Sequence, residues 1–170
     1  MSALWCGAVL LVLVTGCDPG LIYRLPGARE LTGNGLSYDV DVGDGVVARF
    51  RGSVFTIHGG VEVEVLNHGD VPVSVVPTPM LITDGDGRRI EPSECSIRSD
   101  SWQRDLTAGQ ASEIIEKGHS VAIGCGFYVH CTCGLFPPYY PSRSTRVTLV
   151  QPGFSLSGRP LDIHATMVGD

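Results

Sequence analysis

Lysine is nearly missing from this chain. Of its 12 basic residues only Lys117 is one, and against 18 acidic residues the formal net charge is −6. The basic residues are scattered as well, so the basic face that nucleic-acid binding needs to displace phosphate counterions is absent and nucleic acid is excluded as a partner. The apolar run Ala3 to Val14 holds 12 residues, against the roughly 20 of a bilayer-spanning helix, which makes it too short to be a permanent anchor. No Gly-x-Ser-x-Gly elbow, paired zinc histidines or phosphate loop occurs, and His58, His68, His119, His130 and His164 stand apart from one another. The chain therefore reads as a non-enzyme that holds no cofactor.

What is present begins with the short apolar run, which has the length of a signal-peptide core. It stops at Asp18 and Pro19, since neither a charge nor a helix-breaking ring belongs in hydrocarbon. Just before the stop, Val14-Thr15-Gly16-Cys17 resembles the lipobox of bacterial lipoproteins. The resemblance implies cleavage between Gly16 and Cys17 and acylation of the Cys17 thiol. Two or three acyl chains, at about 0.8 kcal/mol per buried CH₂, then make a lasting tether. One departure is the lack of Lys or Arg before the apolar run. Asp18 after the lipidated Cys resembles an inner-membrane retention signal. The expected organisation is a leader over residues 1–16, a lipidated Cys17 with a flexible spacer to residue 35, and one domain over 36–170. The product would be exported and held on a bacterial membrane, on its periplasmic or outer surface.

Without the leader about 154 residues remain, enough for one core that buries about two thirds of the chain's surface. With 22 Gly, 11 Pro and many short runs of Val, Ile and Thr, the composition favours strands and turns. Cys6 leaves with the leader and Cys17 takes lipid, so Cys95, Cys125, Cys131 and Cys133 are left, and an even number in an oxidising compartment predicts two disulfides. Cys131 with Cys133 is the least favourable pair, because residues two apart on a strand point the same way near the upper limit for a bridge. Cys95 and Cys125 are accordingly each expected to pair with one of Cys131 and Cys133.

Periodic sequence starts at Leu36. Leu36, Tyr38, Val40 and Val42 alternate with polar residues as in a half-buried strand, Gly43-Asp44-Gly45 turns the chain, and Val46–Phe50 and Ser53–Ile57 supply one or two more strands. Val61, Val63 and Val65 face one way with Glu62 and Glu64 the other; Asn67-His68-Gly69-Asp70 is turn chemistry, and Val71, Val73 and Val75 resume, which predicts a hairpin with one apolar face. Met80–Thr83, the turn Asp84–Gly87 and Arg88–Ile90 follow, then a short run Cys95–Ile97, with Trp102 as an expected core anchor. Thr107–Gly118 carries a capping box, Thr107 with Gln110, and admits a helix, while Ser112–Ile115 admits a strand. Further strands are expected at Ser120–Phe127, Val129–Cys133, Arg146–Val150 and Leu161–Met167. Leu135–Ser142, with Pro137, Pro138 and Pro141, cannot be a central strand.

Val61-Glu-Val-Glu-Val-Leu66-Asn67, then Val71-Pro-Val-Ser-Val75, then Leu81-Ile-Thr-Asp84-Gly-Asp86-Gly87 resembles the small immunoglobulin-like domains of bacterial exported lipoproteins. Lys117-Gly118-His119-Ser120 leading to Phe127 is similar to that family's turn before a strand with a buried Phe. The resemblance covers about Val61 to Phe127 and implies an all-β, antiparallel immunoglobulin-like β-sandwich without a known activity.

Three stretches carry candidate chemistry. His119, Cys125, His130, Cys131 and Cys133 have the ligand types of a soft-metal site, although Cys-x5-Cys-x-Cys is not a zinc-finger spacing and disulfides are the leading expectation. Asp84-Gly85-Asp86-Gly87 begins like a calcium loop but has Cys95 at the twelfth position, so it reads as a hairpin turn. In Leu135–Pro141, stiff prolines beside Phe136, Tyr139 and Tyr140 offer a contact surface for an envelope protein partner, or a cover for an open sheet edge. The expected function is a tethered, non-catalytic envelope domain that binds a protein or supports an assembly, with soft-metal binding in the Cys125–Cys133 segment as the alternative.

Overall fold

The alternating runs fold as antiparallel strands. The structure, a computed structural model, describes residues 23–24, 26–27, 29–31, 35–53, 58–92, 94–107, 110–128 and 146–169. First along the chain are β1 (Tyr23–Arg24), β2 (Arg29–Leu31), β3 (Gly35–Gly43), β4 (Val46–Ser53) and β5 (His58–Asn67). Next are β6 (Val73–Val75), β7 (Leu81–Asp84), β8 (Arg89–Ile90), β9 (Glu94–Ser99), β10 (Gln103–Asp105) and β11 (Glu113–Ile115). The rest are β12 (Ser120–Tyr128), β13 (Arg146–Val150), β14 (Phe154–Leu156), β15 (Arg159–Pro160) and β16 (His164–Gly169). Among the described residues there is no helix, and Thr107–Gly118 contains the strand β11.

A seven-stranded sheet runs β10-β9-β12-β5-β4-β3-β2; a five-stranded sheet runs β1-β16-β13-β7-β8, and a four-stranded sheet runs β11-β6-β14-β15. The two smaller sheets are successive halves of the same strands. β6 leads into β7 across Pro77 and Pro79, and β13 into β14 across Pro152 and Gly153, because proline cannot donate to a ladder and the strand must break there. The breaks are tied together: Val76 N–H donates to Gly153 O at 2.8 Å, and the buried Gln151 amide donates to Thr78 O at 3.0 Å and Pro152 O at 2.9 Å. Opposite these halves lies the seven-stranded sheet, an arrangement consistent with a β-sandwich.

One buried cluster draws on all three sheets. Val46, Ala48 and Phe50 of β4, Val61, Val63 and Val65 of β5, and Val121 and Ile123 of β12 meet Val73, Val75, Ile82, Leu149, Phe154, Ala165 and Met167. Each fully buried side chain of this size contributes about 1.5–3 kcal/mol, so the alternation read from the sequence is what holds the layers together. Trp102 is only half-buried and packs against this cluster from its border, with Arg104 Cζ 4.4 Å from the ring centroid.

Two expectations are corrected. Val61–Val65 and Val71–Val75 do not form a hairpin: β5 pairs with β4 and β12, while β6 pairs with β11 and β14. The connection passes from one layer to the other, since both flanks of β5 are occupied and the apolar face of β6 can then cover the same core. The Asp18–Gly35 stretch is also not all spacer. Tyr23 and Arg24 pair with Gly169 and Val168, and Arg29–Leu31 with Ser37–Gly35, because the outer strands β16 and β3 offer open edges that even a Gly-rich polar segment can cap.

Candidate functional site

Two of the four cysteines expected in disulfides are bonded to each other. Cys95 of β9 and Cys125 of β12 stand directly opposite in the antiparallel register, with Cα atoms 4.1 Å apart, and their sulfurs are joined. This corrects the expected pairing of each with Cys131 or Cys133. The reason is in the ladder: Cys95 O accepts Leu106 N–H at 2.8 Å from the β10 side, so the Cys95 peptide turns away from β12 and the pair is of the close, non-hydrogen-bonded kind. Positions 95 and 125 lie 30 residues apart in sequence, and nothing short of the strand register brings them together. A disulfide suggests a location outside the cytoplasm. Cys17, Cys131, Cys133, Phe136, Tyr139 and Tyr140 lie outside the described residues, as does the Val129–Cys133 run.

The proposed metal ligands that are described do not converge. The sulfur of Cys125 is bonded to Cys95, whereas His119 precedes the opposite end of β12 and has its Nδ1 3.4 Å from Asp100 Oδ2. No group of three or more His, Cys, Asp or Glu suited to a metal occurs among the described residues. The Asp84 turn is likewise closed on itself. Asp84 is buried, and its Oδ1 accepts the N–H of Asp86 at 2.9 Å and of Arg88 at 2.8 Å, the geometry of a hairpin turn between β7 and β8.

Alternation alone did not reveal how the outward face of the seven-stranded sheet is organised. Its charges, carried on β3, β4, β5 and β9, form one continuous ladder across five strands. Arg49 reaches Asp39 with Nε at 2.8 Å and its second nitrogen at 3.0 Å; Arg51 reaches Glu64 at 2.7 Å; Arg98 grips both oxygens of Glu62 at 2.8 and 2.5 Å. Glu64 also accepts Ser120 Oγ at 3.0 Å. Arg98 sits on β9 and Glu62 on β5, with β12 between them. It can span that strand because the β12 positions beneath it are Ala122, opposite Arg98, and Gly124, opposite Glu62. Asp39 hydrogen-bonded to Arg49, and Glu62 hydrogen-bonded to Arg98, hold both guanidiniums above their ordinary pKa. The ladder is charge-balanced and half exposed.

The two ends of the molecule differ in what they carry. At one end the β3–β4 turn meets the β14–β15 turn through Arg159 and Asp44 at 2.8 Å, and the β5–β6 crossing meets the β11–β12 turn through Lys117 and Asp70 at 2.6 Å. Asn67 is the pin of that end. Its Nδ2 donates to Val71 O and to Ile115 O, both at 2.9 Å, and its Oδ1 accepts Gly69 N–H at 3.0 Å. At the other end stand Tyr23 against Gly169, Arg146 against Val168, Val147 against Asp84, and His58 against Tyr128.

No family model matches the chain, and no curated protein sequence matches it. Among solved structures it is similar to a crystal structure of a candidate ApaA protein from Bordetella pertussis, at 15% identity and a TM-score of 0.33 over 88% of this chain and 94% of that one. It is also similar to the X-ray structure of a structural-genomics target, SoR45, at 8% identity and a TM-score of 0.32 over 88% of this chain and 80% of that one. Among the described residues no helix is long and apolar enough to cross a membrane.

Proposed function

We propose that this chain is an exported lipoprotein whose immunoglobulin-like domain, tethered through lipid on Cys17, binds a partner protein or supports an assembly in the cell envelope without catalysis. The Cys95–Cys125 bridge carries this reading, because it supports the oxidising compartment that the leader and Val14-Thr15-Gly16-Cys17 imply independently. The antiparallel layers, with β5 ending in Asn67 and β7 ending in the Asp84 turn, support the immunoglobulin-like assignment at the residues where the resemblance lies. Cross-linking in intact envelopes followed by affinity capture tests it. A reproducible partner, lost in the Tyr139→Ala, Tyr140→Ala double variant, is expected; a wild-type chain that captures none refutes the interaction.

A second reading, soft-metal binding near Cys133, is narrowed by the same bridge. Cys125 leaves the ligand set and His119 lies beyond the other end of β12 against Asp100, so His130, Cys131 and Cys133 are the residues of the set that would hold Zn²⁺ or Cu(I). Native mass spectrometry separates the readings, since a second disulfide removes two hydrogens and a metal site adds the mass of the ion.

A further inference from the structure

We infer that the domain stands on its membrane with a fixed end down: the end holding the start of β1, the Asp84–Arg88 turn and the start of β13 faces the lipid surface. This rests on the proposed lipidation of Cys17. Only Asp18 to Ile22 separate that residue from Tyr23, the first residue of β1. Six residue steps reach about 20 Å at full extension, which is less than the about 30 Å length of the ten-residue strand β5.

The register then fixes the direction. Tyr23 pairs with Gly169, the last residue of β16, and Arg24 with Val168, which is flanked on its other side by Arg146 of β13. Val147 of β13 pairs with Asp84, so the turn between β7 and β8 is at this same end. In the opposite layer Gly35 pairs with Ser53, and His58 with Tyr128. The far turns of the two layers are joined by Arg159 and Asp44, so the near ends of both layers must also coincide. A tether entering at Tyr23 therefore keeps the near end within reach of the headgroups, while Asp44, Asp70 and Asp100 are carried about a strand length farther out.

The charges agree with that direction without deciding it. Arg24, Arg88, Arg89 and Arg146 lie in the near part, together with Asp84, Asp86, Glu91 and Glu94. Asp84 is hydrogen-bonded within its turn and Glu91 is paired to Arg89 at 2.7 Å, which lessens their repulsion from anionic headgroups.

The full-length acylated protein is reconstituted into vesicles of phosphatidylethanolamine and phosphatidylglycerol that contain a lipid with a nitroxide on its headgroup. A fluorescent unnatural residue is placed either at position 86, in the near turn, or at position 101, in the far β9–β10 turn; both positions are exposed. Quenching several-fold stronger at 86 than at 101 is expected, and lengthening the tether by about 20 Gly-Ser residues after Pro19 should abolish the difference. Equal or reversed quenching in a chain that floats with the vesicles overturns the orientation. A chain that bears no acyl group on Cys17 and does not float removes the tether, and the orientation with it.

Discussion

Asn67→Ala should destabilise this domain by about 3 kcal/mol, more than any surface substitution. The side chain is 1% exposed and makes three hydrogen bonds across two connections. Its bond to Ile115 O is buried where water cannot replace it, so its loss costs about 1–3 kcal/mol. The partners at Val71 and Gly69 are only part-buried and can take up water, so each adds about 0.5–1 kcal/mol. The backbone bonds of the same residue, to His119 O at 3.1 Å and from Gly118 N at 2.7 Å, survive in the variant and cap the loss. With a urea m-value of about 2 kcal/mol/M, the midpoint should fall by about 1.5 M with the slope unchanged. Asn67→Asp keeps the acceptor for Gly69 N–H, loses both donors and buries a charge, so it should be at least as damaging. A fall below about 1 kcal/mol for Asn67→Ala in urea melts would refute the idea that this amide pins the layer crossing.

Gly153→Ala should be severe, because φ is +92° and the new Cβ would lie 2.2 Å from Val76 O; Gly87→Ala, at φ +80° with open space around it, should cost only about 1–2 kcal/mol, and thermal melts of the pair check the contrast. Replacing Cys95 and Cys125 together by Ala should lower stability by about 2–4 kcal/mol, and peptide mapping of the unreduced protein should recover 95 joined to 125. Gly124→Lys should disturb the Arg98–Glu62 contact across β12 and leave the Arg49–Asp39 contact intact, readable as a change in chemical shift confined to one pair. The guanidiniums of Arg49 and Arg98, hydrogen-bonded to Asp39 and Glu62, have pKa values raised above the ordinary arginine value, so what they add to stability is fully present below that ordinary value and is lost only as pH rises through the folded one; their contribution should be flat from pH 6 to 10 in denaturant titrations.

Strand identity was legible where one face meets core and the other meets water. Val61, Val63 and Val65 against Glu62 and Glu64 have period two, and β5 buries and exposes those residues accordingly. Which strand neighbours which was not legible, because alternation does not say who sits across the ladder. Val71–Val75 fits a hairpin with β5 as well as it fits the opposite layer, and only the buried Asn67, with Ile115 O 48 residues away as a partner, separates the two. The same gap explains the cysteines. Spacing along the chain argued about Cys131 and Cys133, whereas the lateral register that joins Cys95 to Cys125 has no signature within either segment. β1 and β2 have no signature in the sequence, since two or three residues are too few to show a period. Of the site residues, the ladder from Asp39 to Arg98 was present in the sequence as isolated charges. It becomes one feature only once β12 sets Gly124 and Ala122 beneath the reaching side chain.

The pairing of residues 23–24 with 168–169 has a consequence in time as well as in space. About 145 residues separate the partners, so a chain delivered from its amino end across a membrane has no mate for β1 until β16 arrives. β13, the other neighbour of β16, has an open edge until then, and an open edge invites pairing with the wrong chain. A lipid on Cys17 would hold the early strand at a fixed place on the surface while the late one emerges, so the anchor would shorten the search that closes this sheet.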